Sequence, residues 1–533
     1  MKKFNIEIFS FILIVSLSFF LAISYSFQQV AIDSAISLSD KITFPLKNNI
    51  FLYYANNSWS FVTQFIQILI SLKFDTLLIS KIIIFLSTFF YSLGIYLTSK
   101  NISSSSPLAL LIVLFVMIFR KNFGDIDYPT LMFSEHTNGM LSLSLVTLFF
   151  GLCCNRNFIL MSLLAGLLIS IHLTIGLWIL FVFFSSIIYF LIKKDTTIPL
   201  KRISIGLIFG FSITIISFIF YKINLETIPY DLDMYSYINY MNNWDAHRNF
   251  YGNLSDLNYE YIFKTVLLLL SLFIYIRFFL SNKKFNFKFF SHLLILNIII
   301  SFILYVVYKK VPSIFPDLAT RTIPTRFFLL QSVIGYPILI SLAYLFLNKI
   351  LKKFRFKDNN VLGFFFFLVV FYSVSHYKNI NSLFVGFSNN FFDNINVEDK
   401  IFWQKVKDSD TNGFIITSEF TCSPTISKAN KPVILCPHPI DYIPYLPKLA
   451  GKIEYVMEEI YETTFKSPPK EFNGIVDGLR DEQIKETFEG KLKKNWISIA
   501  KTFNVNGLIV PANWVINLEP RFTNGKYTFY KIN

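Results

Sequence analysis

Residues 174–221 read TIGLWILFVFFSSIIYFLIKKDTTIPLKRISIGLIFGFSITIISFIFY, and this stretch decides the fold. Two apolar runs, 174–193 and 203–221, flank a short connection carrying Lys193, Lys194, Lys201 and Arg202. A helix needs ~20 apolar residues to cross the hydrocarbon of a bilayer, and each run supplies them. Positive charge packed into a short connection marks the cytoplasmic side. The stretch therefore predicts two membrane helices joined in the cytoplasm.

Runs of the same kind recur on both sides, at 7–27, 77–98, 106–119, 137–153, 157–172, 262–280, 289–308, 326–348 and 360–376, making about eleven transmembrane helices. The runs 106–119 and 157–172 are short, and the amphipathic stretch 59–72 predicts a helix lying at the interface. Composition agrees. Only 16% of the 533 residues are charged and 53% are hydrophobic, whereas soluble domains are about a quarter charged, so a soluble protein is excluded. The first run follows Met1-Lys2-Lys3, is longer than the apolar part of a signal peptide and lacks a clean small-x-small cleavage site before the next polar stretch, so it reads as an uncleaved signal anchor.

The net charge of +15 does not indicate nucleic acid, because the basic residues concentrate in short loops: Lys283, Lys284 and Lys288, then Lys352, Lys353 and Arg355. Long loops with acids mixed in, 28–58, 120–136, 222–261 and 309–325, fall on the opposite side. An odd number of spans with a cytoplasmic N-terminus then puts the C-terminus outside, in the periplasm or the extracellular space. The expected location is the cell inner membrane. From Tyr377 the hydropathy falls. Short apolar runs at 413–417, 432–435, 507–510 and 527–532 predict strands, and 481–503 predicts an amphipathic helix broken near Gly490. The expected organisation is a helical membrane domain, 1–376, and a small extracytoplasmic α/β domain, 377–533.

Candidate chemistry lies in the outer loops, because ionisable groups at membrane depth are costly and usually functional. Asp33 and Asp40 follow the first span; a carboxylate there can serve as general base toward an acceptor hydroxyl, and the plain alternative is an ordinary loop acid. In Asp125-Ile126-Asp127 two carboxylates two residues apart point the same way if the chain is extended, so they can share Mg²⁺ or Mn²⁺; otherwise they form a solvated turn. Arg321 and Arg326 precede an apolar run and suit a phosphate headgroup, or else snorkel to the interface. His136, His172, His247 and Arg248 complete the candidate binding set, each histidine being by default a structural hydrogen-bonding group. Cys422 and Cys436, on the oxidising side, leave a disulfide open.

A cytoplasmic N-terminus, a long first outer loop with an acid, a second with Asp125-x-Asp127, a late outer Arg and an external α/β domain together resemble the C-type superfamily of polytopic membrane glycosyltransferases. The segment Ser134-Glu135-His136-Thr137-Asn138-Gly139, followed by His172-Leu173-Thr174-Ile175-Gly176-Leu177-Trp178, is similar to bacterial membrane proteins grouped with them. The resemblance implies transfer of a sugar from a polyprenyl-phosphate carrier to a glycan, lipid or protein acceptor in the cell envelope. It implies that the base is Asp33 or Asp40, that Asp125 and Asp127 assist the acceptor or a divalent cation, and that Arg321 or Arg326 meets the lipid phosphate. The Asp-Glu pair after the first span and the Trp-Trp-Asp signature of oligosaccharyltransferases are missing. A transporter or flippase of lipid-linked sugars and a non-catalytic membrane scaffold are the competing readings.

Overall fold

The computed structural model describes residues 2–118 except 26–28, 40 and 46–48; 137–225 except 195–197 and 224; 266, 269, 270 and 273; 285–311; 329–391 except 354–357; 397–463 except 411, 437–439, 441, 442, 444 and 445; and 481–532. The chain begins with α1 (Lys2–Ser24), makes three short helices, α2 (Val30–Ser37), α3 (Ile50–Asn57) and α4 (Phe61–Ser71), and turns back into α5 (Thr76–Ser103). Then come α6 (Ser106–Ile118), α7 (Thr137–Cys154), α8 (Phe158–Ile171), α9 (Leu173–Ile192) and α10 (Leu200–Ile223). The described part of the bundle closes with α11 (Phe285–Lys310), α12 (Leu329–Lys353), α13 (Asp358–Ser375) and α14 (Tyr377–Phe391).

Among the described residues seven of these helices, α1, α5, α7, α9, α10, α11 and α12, are long and apolar enough to cross a membrane. An eighth span results if α13 and α14, bent by 71° at their junction, count as one; α6 and α8 are shorter apolar helices. The predicted span 262–280 lies largely outside the described residues. Outward faces agree with a lipid environment: on α10, Ile208, Phe209 and Ile216 are each at least 60% exposed. Water would penalise such a face, whereas hydrocarbon does not. The chain is thus built as a membrane protein.

Hydrophobic burial cannot drive one helix onto another in lipid, so close backbone approach does the work. A Cβ on Gly94 of α5 would lie 2.5 Å from the carbonyl carbon of Thr147 on α7, and Gly151 returns the contact against Gly94. In the pair α8 and α10, a Cβ on Gly166 would stand 2.9 Å from the Phe211 nitrogen. Polar contacts fix direction: Lys100 pairs with Glu7 at 2.8 Å and Thr88 donates toward the Ser18 carbonyl, so α5 runs antiparallel to α1. Within α9 and α11, the Trp178 indole donates to Asn297 Oδ1 at 2.6 Å.

The C-terminal unit contains α15 (Val397–Lys407), β1 (Phe414–Thr417), α16 (Glu419–Ser427), α17 (Ala450–Tyr461), α18 (Asp481–Gly490), α19 (Lys493–Phe503), β2 (Val505–Pro511), β3 (Pro520–Thr523) and β4 (Tyr527–Lys531). Its described sheet has the order β1-β2-β4-β3, with β1 and β2 parallel and the other pairs antiparallel. Alternation along the strands sends Ile415, Ile509 and Phe529 to one apolar layer with Phe402 and Trp403, and Phe414, Ile416 and Leu508 to the other. Both faces are covered, which is why the first two strands read as unbroken apolar runs. The predicted helix 481–503 is two helices, parted after Gly490, and the run 432–435 pairs with β1 only through an isolated bridge, Ile415 with Val433.

This unit is fastened where α1 ends. α14 lies along α1, with Phe20 against Phe384 and Phe387, and Asn390 donates to the Ile23 carbonyl at 3.0 Å. α16 packs on α2, and Asn49 Nδ2 donates to the Val433 carbonyl at 3.4 Å.

Candidate functional site

Of the candidate catalytic and binding residues singled out from sequence, Asp33 and His172 fall within the described structure. Asp40, Asp125, Asp127, His136, His247, Arg248, Arg321 and Arg326 lie outside the described residues.

Asp33 occupies the first turn of α2, where a carboxylate complements the helix dipole. It is 1% exposed. Its Oδ2 accepts a hydrogen bond from the Ser423 hydroxyl at 2.5 Å, and its backbone carbonyl accepts from Ser37 Oγ at 2.9 Å. The buried carboxyl thus has a side-chain donor from the C-terminal unit.

The other half of the contact is held as firmly. Ser423 lies on α16, whose N-terminus is closed by Ser418 and Thr421 in a capping box and by Asp481, which accepts from the Glu419 N–H at 2.7 Å. Cys422, the preceding residue, forms a disulfide with Cys436, and their Cα atoms are 5.9 Å apart. The pair that the sequence left open is therefore bonded. Tyr461 of α17 is fully buried, and burial, with the Asp481 carboxylate adding to it, pushes its phenol well above the ordinary range.

A third element reaches the same place. Thr137, first residue of α7, donates to Gln29 Oε1 at 2.9 Å and accepts from the Ala31 N–H at 3.2 Å. Its neighbour Asn138 accepts from Ser60 Oγ at 2.9 Å. Thr137 and Asn138 of the Ser134–Gly139 motif thus tie the start of α7 to α2, two residues from Asp33, and to Ser60. Beyond Ser60, the Trp59 indole donates to Ser217 Oγ at 3.0 Å, which joins α4 to the far end of α10.

His172 is the residue between α8 and α9, and its Nδ1 meets the Thr174 hydroxyl at 3.0 Å. The reversal there is tight: a Cβ at Gly176 would run into the Ile169 backbone, so glycine is required for α9 to fold back on α8. The histidine belongs to that hairpin. Among the described residues no three His, Cys, Asp or Glu side chains gather as metal ligands would. Asp125 and Asp127, the ligands proposed from sequence, lie outside the described residues.

Sequence reasoning passed over Ser423, Gln29 and the role of Thr137. The signal for Ser423 was its place beside Cys422, a residue already marked for a bond that would fix its surroundings. No family model matches the chain. No curated protein sequence matches it either.

Proposed function

We propose that the chain is a membrane glycosyltransferase, moving a sugar from an isoprenoid-phosphate carrier to an acceptor at the outer face of the inner membrane. The observation that carries the reading is a buried carboxylate, Asp33, on α2 where α2 meets the start of α7 and the C-terminal unit. A carboxylate removed from bulk water, beside the end of an apolar bundle, suits group transfer from a lipid-borne donor that water must not intercept.

In this scheme Asp33 takes the proton of the acceptor hydroxyl as that oxygen bonds to the anomeric carbon. The bond from the anomeric carbon to the phosphate oxygen breaks, and the phosphate leaves with the electron pair. Arg321 and Arg326 supply fixed positive charge for it, in a region too dry to screen charge. Asp125 and Asp127 are the residues proposed to hold Mg²⁺ or Mn²⁺, which when bound would neutralise phosphate oxygens. Asp40 remains the alternative base.

The proposed topology has eleven spans, a cytoplasmic N-terminus and an outer C-terminal unit. The Cys422–Cys436 disulfide supports it, since such bonds persist in oxidising compartments. The test is reconstitution of the full chain in proteoliposomes with a panel of polyprenyl-phosphate sugars. Release of free polyprenyl phosphate with glycosylation of an acceptor is the expected result. No turnover across the panel contradicts the reading and favours a transporter or scaffold.

A further inference from the structure

We infer that Ser423 is a positioning residue for Asp33, delivered by the disulfide-closed loop 422–436, so that the C-terminal unit completes the site. The inference rests on the reading of Asp33 as the base.

Its first ground is the behaviour of the hydroxyls on α16. A serine or threonine inside a helix has a ready acceptor in the carbonyl four residues back. Thr425 uses it, donating to the Thr421 carbonyl at 2.6 Å, and so does Ser427, donating to the Ser423 carbonyl at 2.8 Å. Ser423 instead crosses to α2 and gives its proton to Asp33 Oδ2. That choice fixes the rotation of the carboxylate.

The second ground is how the loop is held. Cys422 and Cys436 bound it, and two hydrogen bonds to the segment after α1 come from inside these bounds: Ser423 to Asp33, and the Val433 carbonyl from Asn49. Asn49 is itself fixed, because its Oδ1 accepts from the Phe51 and Leu52 N–H groups at the start of α3. Val433 is tied to β1 through Ile415. A reacting group must be held within about 0.5 Å of its productive place, and two contacts from one cross-linked loop meet that demand.

The experiment uses the full chain in proteoliposomes with a polyprenyl-phosphate sugar that the unmodified protein turns over. kcat, the donor KM and hydrogen exchange across 30–37 are measured for Ser423→Ala, Ser423→Cys and Ser423→Thr. Removing or weakening the donor in the Ala and Cys variants should lower kcat about tenfold or more, with KM and exchange unchanged. Threonine, which keeps the hydroxyl, should recover most of the rate. An unchanged kcat in both the Ala and the Cys variant overturns the inference and leaves the glycosyltransferase reading standing. A loss of rate that follows increased exchange and is not recovered by Thr makes Ser423 structural and overturns it too. Absence of turnover by the unmodified chain across all donors overturns both.

Discussion

Ser423 donates a hydrogen bond to the Asp33 carboxylate at 2.5 Å although 390 residues of chain separate them. One partner belongs to the first helix after α1, the other to the C-terminal unit. The bundle and the sheet-bearing part therefore meet here, held by the packing of α16 on α2 with this bond inside it, and what loosens that packing should be felt on both sides.

The disulfide tests that coupling. In the chain-entropy view a loop of this length, with Cys422 and Cys436 at a sequence separation of 14, contributes about 3 kcal/mol. Replacing both cysteines by serine should lower the stability of the C-terminal unit by about that amount. It should also speed amide exchange in 30–37, with α5 and α7 unchanged. Identical exchange in 30–37 with and without the bond would show that the loop does not hold α2.

Gly94 tests the packing. A side chain there meets the Thr147 backbone, which cannot swing aside as a side chain would, whereas a Cβ on Gly363 of α13 meets nothing within 4 Å. Gly94→Leu should abolish stable assembly, read as loss of monodisperse protein in detergent. Gly363→Ala should leave it unaltered. Equal behaviour of the two variants would contradict the close approach of α5 and α7.

Topology is open to labelling. With Lys353→Cys and Lys448→Cys in separate full-length chains, an impermeant thiol reagent added to intact cells should modify the second and spare the first. Equal modification of the two would refute a cytoplasmic end for α12 and an outer C-terminal unit.

Arg321 and Arg326 are proposed to meet the donor phosphate. Changing the contacting Arg to Lys keeps the charge and loses the planar fork, so turnover should fall by about two orders of magnitude with normal insertion. Full turnover in the double Arg→Ala variant removes both from the mechanism.

The spans were readable in sequence because a membrane helix is decided by a local quantity, the length of an apolar run, and α7, α9 and α10 follow their runs closely. β1 and β2 were readable for a similar reason, being apolar on both faces. α2 was not. Val30–Ser37 is short and mixes Asp33, Ser34 and Ser37 with alanine and isoleucine, and its near-complete burial comes from α4 and α16 packing on it. β3 was missed because Pro520–Thr523 is largely exposed and leaves little apolar pattern. The cysteines could be marked as a possible pair, but which hydroxyl would face Asp33 depends on tertiary packing across most of the chain.

The central claim is that Asp33 accepts the acceptor's proton, and Asp33→Asn isolates that step. Asparagine keeps the size of the side chain and an oxygen to receive the Ser423 hydroxyl, so α2 should stay docked; only the capacity to take a proton is lost. The deciding measurement is kcat for sugar transfer by this variant in proteoliposomes, beside the unmodified chain. A fall of about two orders of magnitude or more, with α2 exchange unchanged, is the predicted result. Transfer at the unmodified rate would contradict it.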